Sequence, residues 1–333
     1  MFTAVAMMGQ SWIGIPSRLL NNIRRSSARH PFIWGGGLMI VTTALWALAF
    51  AAPLAIPSAS SIEIAMGRFI VYGLISVGLF GFGRFAALPG PLIRRAVAYA
   101  LAGNVVYYVL LVAGIQLGDA TMAVLIIGML PVTVALAGRT GKPRNPLGTV
   151  IGPLSVFGAG LFLFNAAKTD FFRDLGALSP VAIVCVTASL VMWTWYAVSN
   201  ARFLRSTNTV SETDWSSVVG IASLGIALLG LPLGWAFGLA RNPLSLDLAE
   251  LFDVAVWSVI LGGGSTWFGT VLFNRASKLL ETSILGQLIV FEAVFGVLYV
   301  FVFSGSAPSA WSLAGICIAL MGVWWSVRSV ERS

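Results

Sequence analysis

Residues 24–60 read RRSSARHPFIWGGGLMIVTTALWALAFAAPLAIPSAS: three arginines, Arg24, Arg25 and Arg29, and then no formal charge before Glu63. A helix crosses ~30 Å of hydrocarbon in ~20 residues, so this run is long enough to span a bilayer. The same unit recurs. Apolar stretches lie at roughly 32–52, 62–82, 96–117, 120–138, 147–166, 180–201, 215–238, 254–274, 282–303 and 309–327, ten in all. Of the 20 Lys and Arg residues, 16 fall in every second gap: Arg18, Arg24, Arg25 and Arg29, then Arg84, Arg94 and Arg95, then Arg139, Lys142 and Arg144, then Arg202 and Arg205, Arg275 and Lys278, and Arg328 and Arg332. The opposite gaps hold Lys168, Arg173 and Arg241, and Arg68 lies inside a stretch. Cytoplasmic flanks carry the excess of basic residues, so the pattern predicts a polytopic membrane protein with both termini inside.

Composition points the same way: 58% apolar residues, 10% charged residues and a mean hydropathy of +0.92 do not suit a water-facing globule. The net charge of +8 follows from the basic flanks, which removes the reason to infer nucleic acid binding. Cys185 and Cys317 both lie in apolar stretches and suggest packing, not a disulfide framework or ligand cluster. Residues 1–30 lack a basic n-region ahead of their apolar part. They read as an interfacial segment, with Ile13, Ile15, Leu19 and Leu20 on the inner leaflet and the arginines at its headgroups.

An internal repeat organises the remainder. A shift of 161 residues lays Gly103 on Gly264, Leu111 on Leu272 and Thr121 on Thr282, with hydropathy in phase. Thr42 and Trp46 likewise match Ser189 and Trp193 in spacing. Five stretches per half is an odd number, so the second copy is expected upside down, an arrangement used by transporters with a midplane site. The expected division is an N-terminal segment at 1–30, a first five-helix repeat at 31–166, a connection at 167–179, a second repeat at 180–327 and a tail at 328–333. The fold class is therefore all-α and integral to the membrane, with ten transmembrane helices.

Glu292 stands about ten residues into the ninth stretch, roughly 15 Å from its edge and near the bilayer centre. A charge there costs at least about 2.5 kcal/mol, so the side chain must face the bundle interior, pair with a cation or carry a proton. It is either a hydrogen-bonded tie between helices or a polar group of a translocation cavity. Arg68, nearer the end of its stretch, is expected to snorkel to the headgroups or pair with a neighbour such as Glu63; binding a substrate carboxylate is the alternative. Ser189, Trp193, Tyr196 and Asn200 share one helical face, and Asn104, Tyr107 and Tyr108 form another. With Trp46, Thr42, Trp267 and Ser265 at similar depth, they are the candidate substrate-binding residues. Trp34, Trp215, Trp257, Trp311, Trp324 and Trp325 lie near stretch ends, where an interfacial belt explains them. Pro131 should kink the fourth stretch and Gly262, Gly263 and Gly264 weaken the eighth; all four are candidates for helix breaks or gating. Gly78, Gly81 and Gly83 follow no strand and are not a dinucleotide fingerprint.

These features resemble the drug/metabolite transporter superfamily over about residues 31–327. The likeness rests on ten stretches in two halves, on Arg68-Phe69 and on Leu130-Pro131-Val132, with the EamA-type branch most similar, and within it the aromatic amino-acid exporters of the YddG type. The second half departs by having Phe291-Glu292-Ala293 where the first has Leu130-Pro131-Val132. The resemblance implies a ten-helix basket that moves small metabolites outward through a central cavity.

Other classes fit less well. His30 is the single histidine and lies outside the stretches, no HExxH is present, and Thr266 replaces the glycine expected after Gly263-Gly264-Ser265, so catalytic residues and metal ligands are not expected. A channel would need rings of charge or a repeated carbonyl filter. The expectation is a secondary transporter of the inner membrane, not an enzyme, without cofactor. Its partners are a small-molecule solute and the lipid bilayer, with neither nucleic acid nor an obligate protein partner. Glu292 suits an ammonium and the aromatic faces an apolar body, so an aromatic or large neutral amino acid is the leading cargo; another amphipathic metabolite or drug, or a channel-like facilitator, is the alternative.

Overall fold

The computed structural model describes residues 31–118, 123, 126–138, 147–166, 179–207, 210–241, 247–304 and 309–331. The expectations for residues 1–30, for the connection 167–179 apart from Ser179, and for Arg139, Lys142 and Arg144 lie outside the described residues. All regular structure among the described residues is helical. Helix α1 (Pro31–Ala55) is followed by α2 (Ser61–Phe80) and the short α3 (Phe82–Ala86). Then α4 (Gly90–Ala100) runs through a π-helical segment, Leu101–Val105, into α5 (Val106–Leu117). Next come α6 (Leu130–Gly138), α7 (Leu147–Ala166), α8 (Pro180–Ser206) and α9 (Glu212–Ala236). A second π-helical segment, Ile260–Phe268, joins α10 (Leu248–Val259) to α11 (Gly269–Leu279). The last elements are α12 (Thr282–Leu288), α13 (Val290–Ser304) and α14 (Ala310–Glu331).

Seven helical runs among the described residues are long and apolar enough to cross a membrane. Large apolar side chains such as Ile33, Leu229, Phe252 and Val302 lie two-thirds or more exposed on their outer faces, which suits lipid. The chain is thus an all-α integral membrane protein. Several runs exceed the apolar stretches that mark them: Gly90–Leu117 starts ahead of its stretch, and Leu248–Leu279 exceeds its own at both ends. Backbone hydrogen bonding carries a helix past the point where hydropathy falls, and Arg94, Arg95, Arg275 and Lys278 ride on those polar ends.

Local chemistry sets the starts. Ser60 accepts from the Glu63 N–H at 3.2 Å while the Glu63 carboxylate accepts from the Ser60 N–H at 2.9 Å, a reciprocal cap on α2. Ser211 caps α9 by accepting from the Asp214 N–H, and Asp247 caps α10 by accepting from the Glu250 N–H. In the packed bundle α2 lies on α9, α7 on α14, α1 on α11 and α13, and α8 on α5 and α6. Small residues allow the tightest of these approaches: a Cβ at Gly160 would sit 2.4 Å from the Ala319 nitrogen, and one at Gly322 2.6 Å from the Phe157 nitrogen.

One belt assignment is corrected. Trp215 is 1% exposed, packs on Phe203 with ring centroids 4.5 Å apart and donates from Nε1 to Asn200 Oδ1 at 2.9 Å. A tryptophan with a buried acceptor in reach needs no interface to satisfy its N–H. Trp311, by contrast, is 65% exposed.

Candidate functional site

A narrow cavity lies among six of the long helical runs. Helix α1 contributes Trp46 and Ala49, α2 contributes Arg68, and the first π-helical segment contributes Gly103 and Asn104. Tyr107 follows on α5, and Trp193 and Tyr196 come from α8. The second π-helical segment and α11 add Thr266 and Thr270, and α13 adds Glu292.

The aromatic wall holds itself in place. Trp46 and Trp193 meet edge to face at 5.5 Å, Trp193 and Tyr196 at 6.2 Å, and Phe273 braces Trp46 from behind at 5.0 Å. Tyr196 fits because residue 103 is glycine: a Cβ there would lie 2.3 Å from the Tyr196 ring.

Opposite the rings stand the charged groups. Arg68 is 8% exposed and donates from Nε to Thr266 Oγ1 at 2.6 Å. Thr266 in turn donates to the Leu261 carbonyl at 2.7 Å, a bond across the wide π-helical turn. One face of the guanidinium lies 4.3 Å from the Tyr108 ring centroid, and the Tyr108 hydroxyl donates to the Ala49 carbonyl at 3.1 Å. Three elements therefore fix one cation. The expectation that Arg68 snorkels or pairs with Glu63 is corrected: Glu63 accepts instead from the Arg241 backbone N–H at 2.6 Å and from its guanidinium at 3.3 Å, and Arg241 also reaches Glu250 at 3.0 Å. The turn of helix between Glu63 and Arg68 puts the two on different faces, so Arg68 points inward.

Glu292, 6% exposed, lines the same cavity as Arg68, and no ion pair joins the two directly. Asn104 donates to Ser223 Oγ at 3.0 Å. One turn beyond Tyr196 and Thr270, Asn200 donates to Asn274 Oδ1 at 2.9 Å while accepting from Trp215. Lys278 pairs with Glu212 at 3.2 Å close by. The residue expected to continue the cavity face, Asn200, thus belongs to a buried polar plug.

Five other candidates do not line the cavity. Tyr108 backs Arg68; Thr42 donates to the Leu38 carbonyl at 2.8 Å; Ser189, Ser265 and Trp267 keep a buried polar atom that no described residue accepts from or donates to. Thr266 and Thr270 stand there instead. Ser265 and Trp267 share the depth of Thr266, and depth along a helix does not tell which of three successive residues faces a cavity. The run Gly262-Gly263-Gly264 within the second π-helical segment is the readable sign of a close approach. A Cβ at Gly262 would sit 2.5 Å from the Arg68 carbonyl oxygen, so this glycine lets the segment lie on α2 beside the cation.

Two further helices are interrupted in the neighbourhood of Glu292. One stops at Gly128 and Met129 and resumes as α6 at Leu130, with Pro131 in its first turn; the other stops at Ile289 and resumes as α13 at Val290, with Glu292 in its first turn. Proline therefore marks the restart of a helix and not a bend within one, because its fixed φ and missing N–H suit a first turn.

Comparison with known proteins gives a consistent placement. Inner membrane protein YtfF of Escherichia coli (strain K12) is 32% identical over 305 residues, covering 86% of this chain and 92% of that protein. The phosphatidylglycerol–prolipoprotein diacylglyceryl transferase of Bacillus velezensis is 25% identical over 211 residues, 55% of this chain and 72% of that one. A protein crystal structure superposes with a TM-score of 0.69 at 18% identity, covering 90% of this chain and 98% of the other, a likeness of fold alone. No family model matches. Membership of the drug/metabolite transporter superfamily, its EamA-type branch and the YddG-type exporters is corrected accordingly in favour of kinship with YtfF. Span count and a proline-bearing tripeptide are weak markers, since bilayer thickness and basic flanks impose similar patterns on unrelated polytopic chains. The multi-pass inner-membrane location stands on the YtfF match and the seven apolar runs together.

Proposed function

The chain belongs to the family of the inner membrane protein YtfF, and from that premise we propose that it is a secondary transporter with ten membrane helices in two inverted five-helix repeats and both termini cytoplasmic. It exports small amphipathic solutes by alternating access, with aromatic or large neutral amino acids the leading candidates. The observation that carries this reading is a guanidinium and a carboxyl group, Arg68 and Glu292, lining one aromatic-walled cavity inside an apolar bundle. Burying both charges away from water is costly and serves no packing need that leucine would not meet. A zwitterion with an apolar body matches the pair.

The repeat has support beyond hydropathy. Shifting Leu101–Val105 by 161 residues lands it inside Ile260–Phe268, so the π-helical segments coincide, and the same shift carries the turn at Gly128 onto Ile289. Exchanging the halves also preserves the packing: α1 on α13 becomes α8 on α6, α1 on α11 becomes α8 on α5, and α2–α9 and α7–α14 map onto themselves. Alternating access is favoured by closure on both sides, with Glu63–Arg241–Glu250 at one end and Asn200–Asn274–Trp215 at the other.

Purified protein in liposomes, loaded and challenged with labelled phenylalanine with and without a proton gradient, tests the reading. Saturable uptake accelerated by unlabelled phenylalanine on the opposite side is expected; uptake equal to empty liposomes for every amino acid offered would end it. Orientation is checked separately: single cysteines at Ser58 and Pro89 should label from opposite faces, Ser58 from outside.

A further inference from the structure

Beside the first cavity lies a small compartment with room for about one water molecule. Its walls are Phe50 from α1, Ile127, Gly128 and Leu130 at one helix interruption, and Ile289, Val290 and Ala293 at the other. Glu292 lines this compartment and the first cavity alike. Among the described residues no group donates a hydrogen bond to its carboxyl oxygens, yet the residue is 6% exposed. Arg68 does not supply the missing partner: Thr266 accepts from its Nε, and Tyr108 lies against one face of its guanidinium. We propose that Glu292 is the coupling-ion site of this protein, carrying one proton inward for each solute carried outward.

An ionised carboxylate without a partner is costly inside a bilayer, and either of two cations removes that cost. The ammonium of a bound solute is one; a proton is the other. Both need the same oxygens, so each displaces the other, as exchange at one alternately exposed site requires. When solute binds, the O–H bond of the Glu292 carboxyl breaks and its proton passes to water on the side to which the cavity is open, while the carboxylate pairs with the intact ammonium. On the opposite side the solute leaves, and a proton from water restores the O–H bond. The compartment suits this ion better than a metal: sodium needs a shell of several oxygens, whereas the walls place one carboxyl group among apolar side chains. A proton needs one oxygen and travels by way of water, for which there is space. Arg68 on α2, Tyr107 on α5 and Tyr196 on α8 are the other ionisable groups lining the first cavity, and the smaller compartment adds none. Of the helices packed beside Glu292, α1, α7 and α12 carry no ionisable side chain, and α14 bears an exposed Cys317 and, in its last turn, Arg328 and Glu331. Guanidinium groups and phenols keep their protons at neutral pH, which leaves Glu292 to exchange one. Exchange of a zwitterion for a proton moves one net charge, so a pH difference and a membrane potential both drive it.

The inference rests on the transport reading, and its test separates the two. In liposomes containing wild-type protein at zero membrane potential, an interior about one pH unit more acidic than the medium should drive labelled phenylalanine inward against its gradient, to an accumulation of roughly tenfold at most. Phenylalanine added outside should also raise the interior pH reported by a trapped dye. A sodium gradient at equal pH should drive nothing. Glu292→Asp should keep accumulation at a reduced rate, whereas Glu292→Gln should retain only slow equilibration and lose both accumulation and the dye response. Phenylalanine exchange by wild type that no pH difference drives uphill overturns the proton assignment and leaves the transport reading standing, whether or not the variants fold. Accumulation driven by sodium, or proton movement that persists in Glu292→Gln, overturns it as well. Absence of transport by wild type for every amino acid offered instead removes the transport reading, and the proton site with it.

Discussion

The two interrupted helices at the cavity solve one geometric problem with different residues. After the turn at Gly128–Met129 the helix resumes with Leu130-Pro131; after Ile289 it resumes with Val290-Phe291-Glu292, the Glu292 N–H donating to the Ile289 carbonyl at 2.8 Å. Proline suits a first turn because it has no N–H to leave unsatisfied, and glutamate suits one because its carboxylate faces the positive end of the helix. Restarting the helix therefore does not require a carboxylate. What Glu292 adds is a carboxyl group at one interruption where the other has proline.

The comparison breaks most directly at Glu292. Glu292→Gln keeps size and hydrogen bonding but removes ionisation, so transport should fall by roughly a hundredfold, as expected for loss of a buried charged contact, and should lose part of its pH dependence. Transport like wild type at every pH would reduce Glu292 to the helix-starting role that Pro131 plays. Arg68→Lys is expected to cost roughly tenfold in KM, because an ammonium cannot stack on Tyr108 and reach Thr266 as the planar guanidinium does; an unchanged KM would remove Arg68 from the site. Trp193→Ala should weaken uptake several-fold, on the order of 1 kcal/mol for one lost aromatic contact, while the melting temperature in detergent holds nearly constant. If stability and transport fall together, Trp193 is packing. The smallest effect belongs to Pro131→Ala, where roughly twofold or less in rate is expected, since alanine also starts helices; a loss as large as that of Glu292→Gln would show that the two interruptions are not equivalent in structure.

Much of the cavity was readable residue by residue. Trp46, Asn104, Tyr107, Trp193, Tyr196 and Glu292 are deep, and aromatic or polar where lipid-facing positions would be aliphatic; all six stand on its wall. Arg68 departs from the snorkelling or Glu63 pairing expected of it because depth along a helix says how far a side chain lies from the headgroups, not which neighbour is within reach; Arg241, far along the chain, engages Glu63 instead. Trp215 failed for the same reason. Ser265 and Trp267 lie at the right depth, but Thr266 between them faces the cavity, because depth does not fix the direction in which a helical side chain points.

Hydropathy runs and the placement of basic residues are enough to establish a multi-pass, all-helical membrane protein, because hydrocarbon thickness and the need to satisfy every backbone hydrogen bond leave few alternatives. Those constraints act on each helix separately. Which charges meet, where a helix widens or stops, and how Arg68 and Glu292 come to line one chamber depend on side chains far apart in the chain packing against each other. Local periodicity holds no record of those contacts, and only the folded bundle decides them.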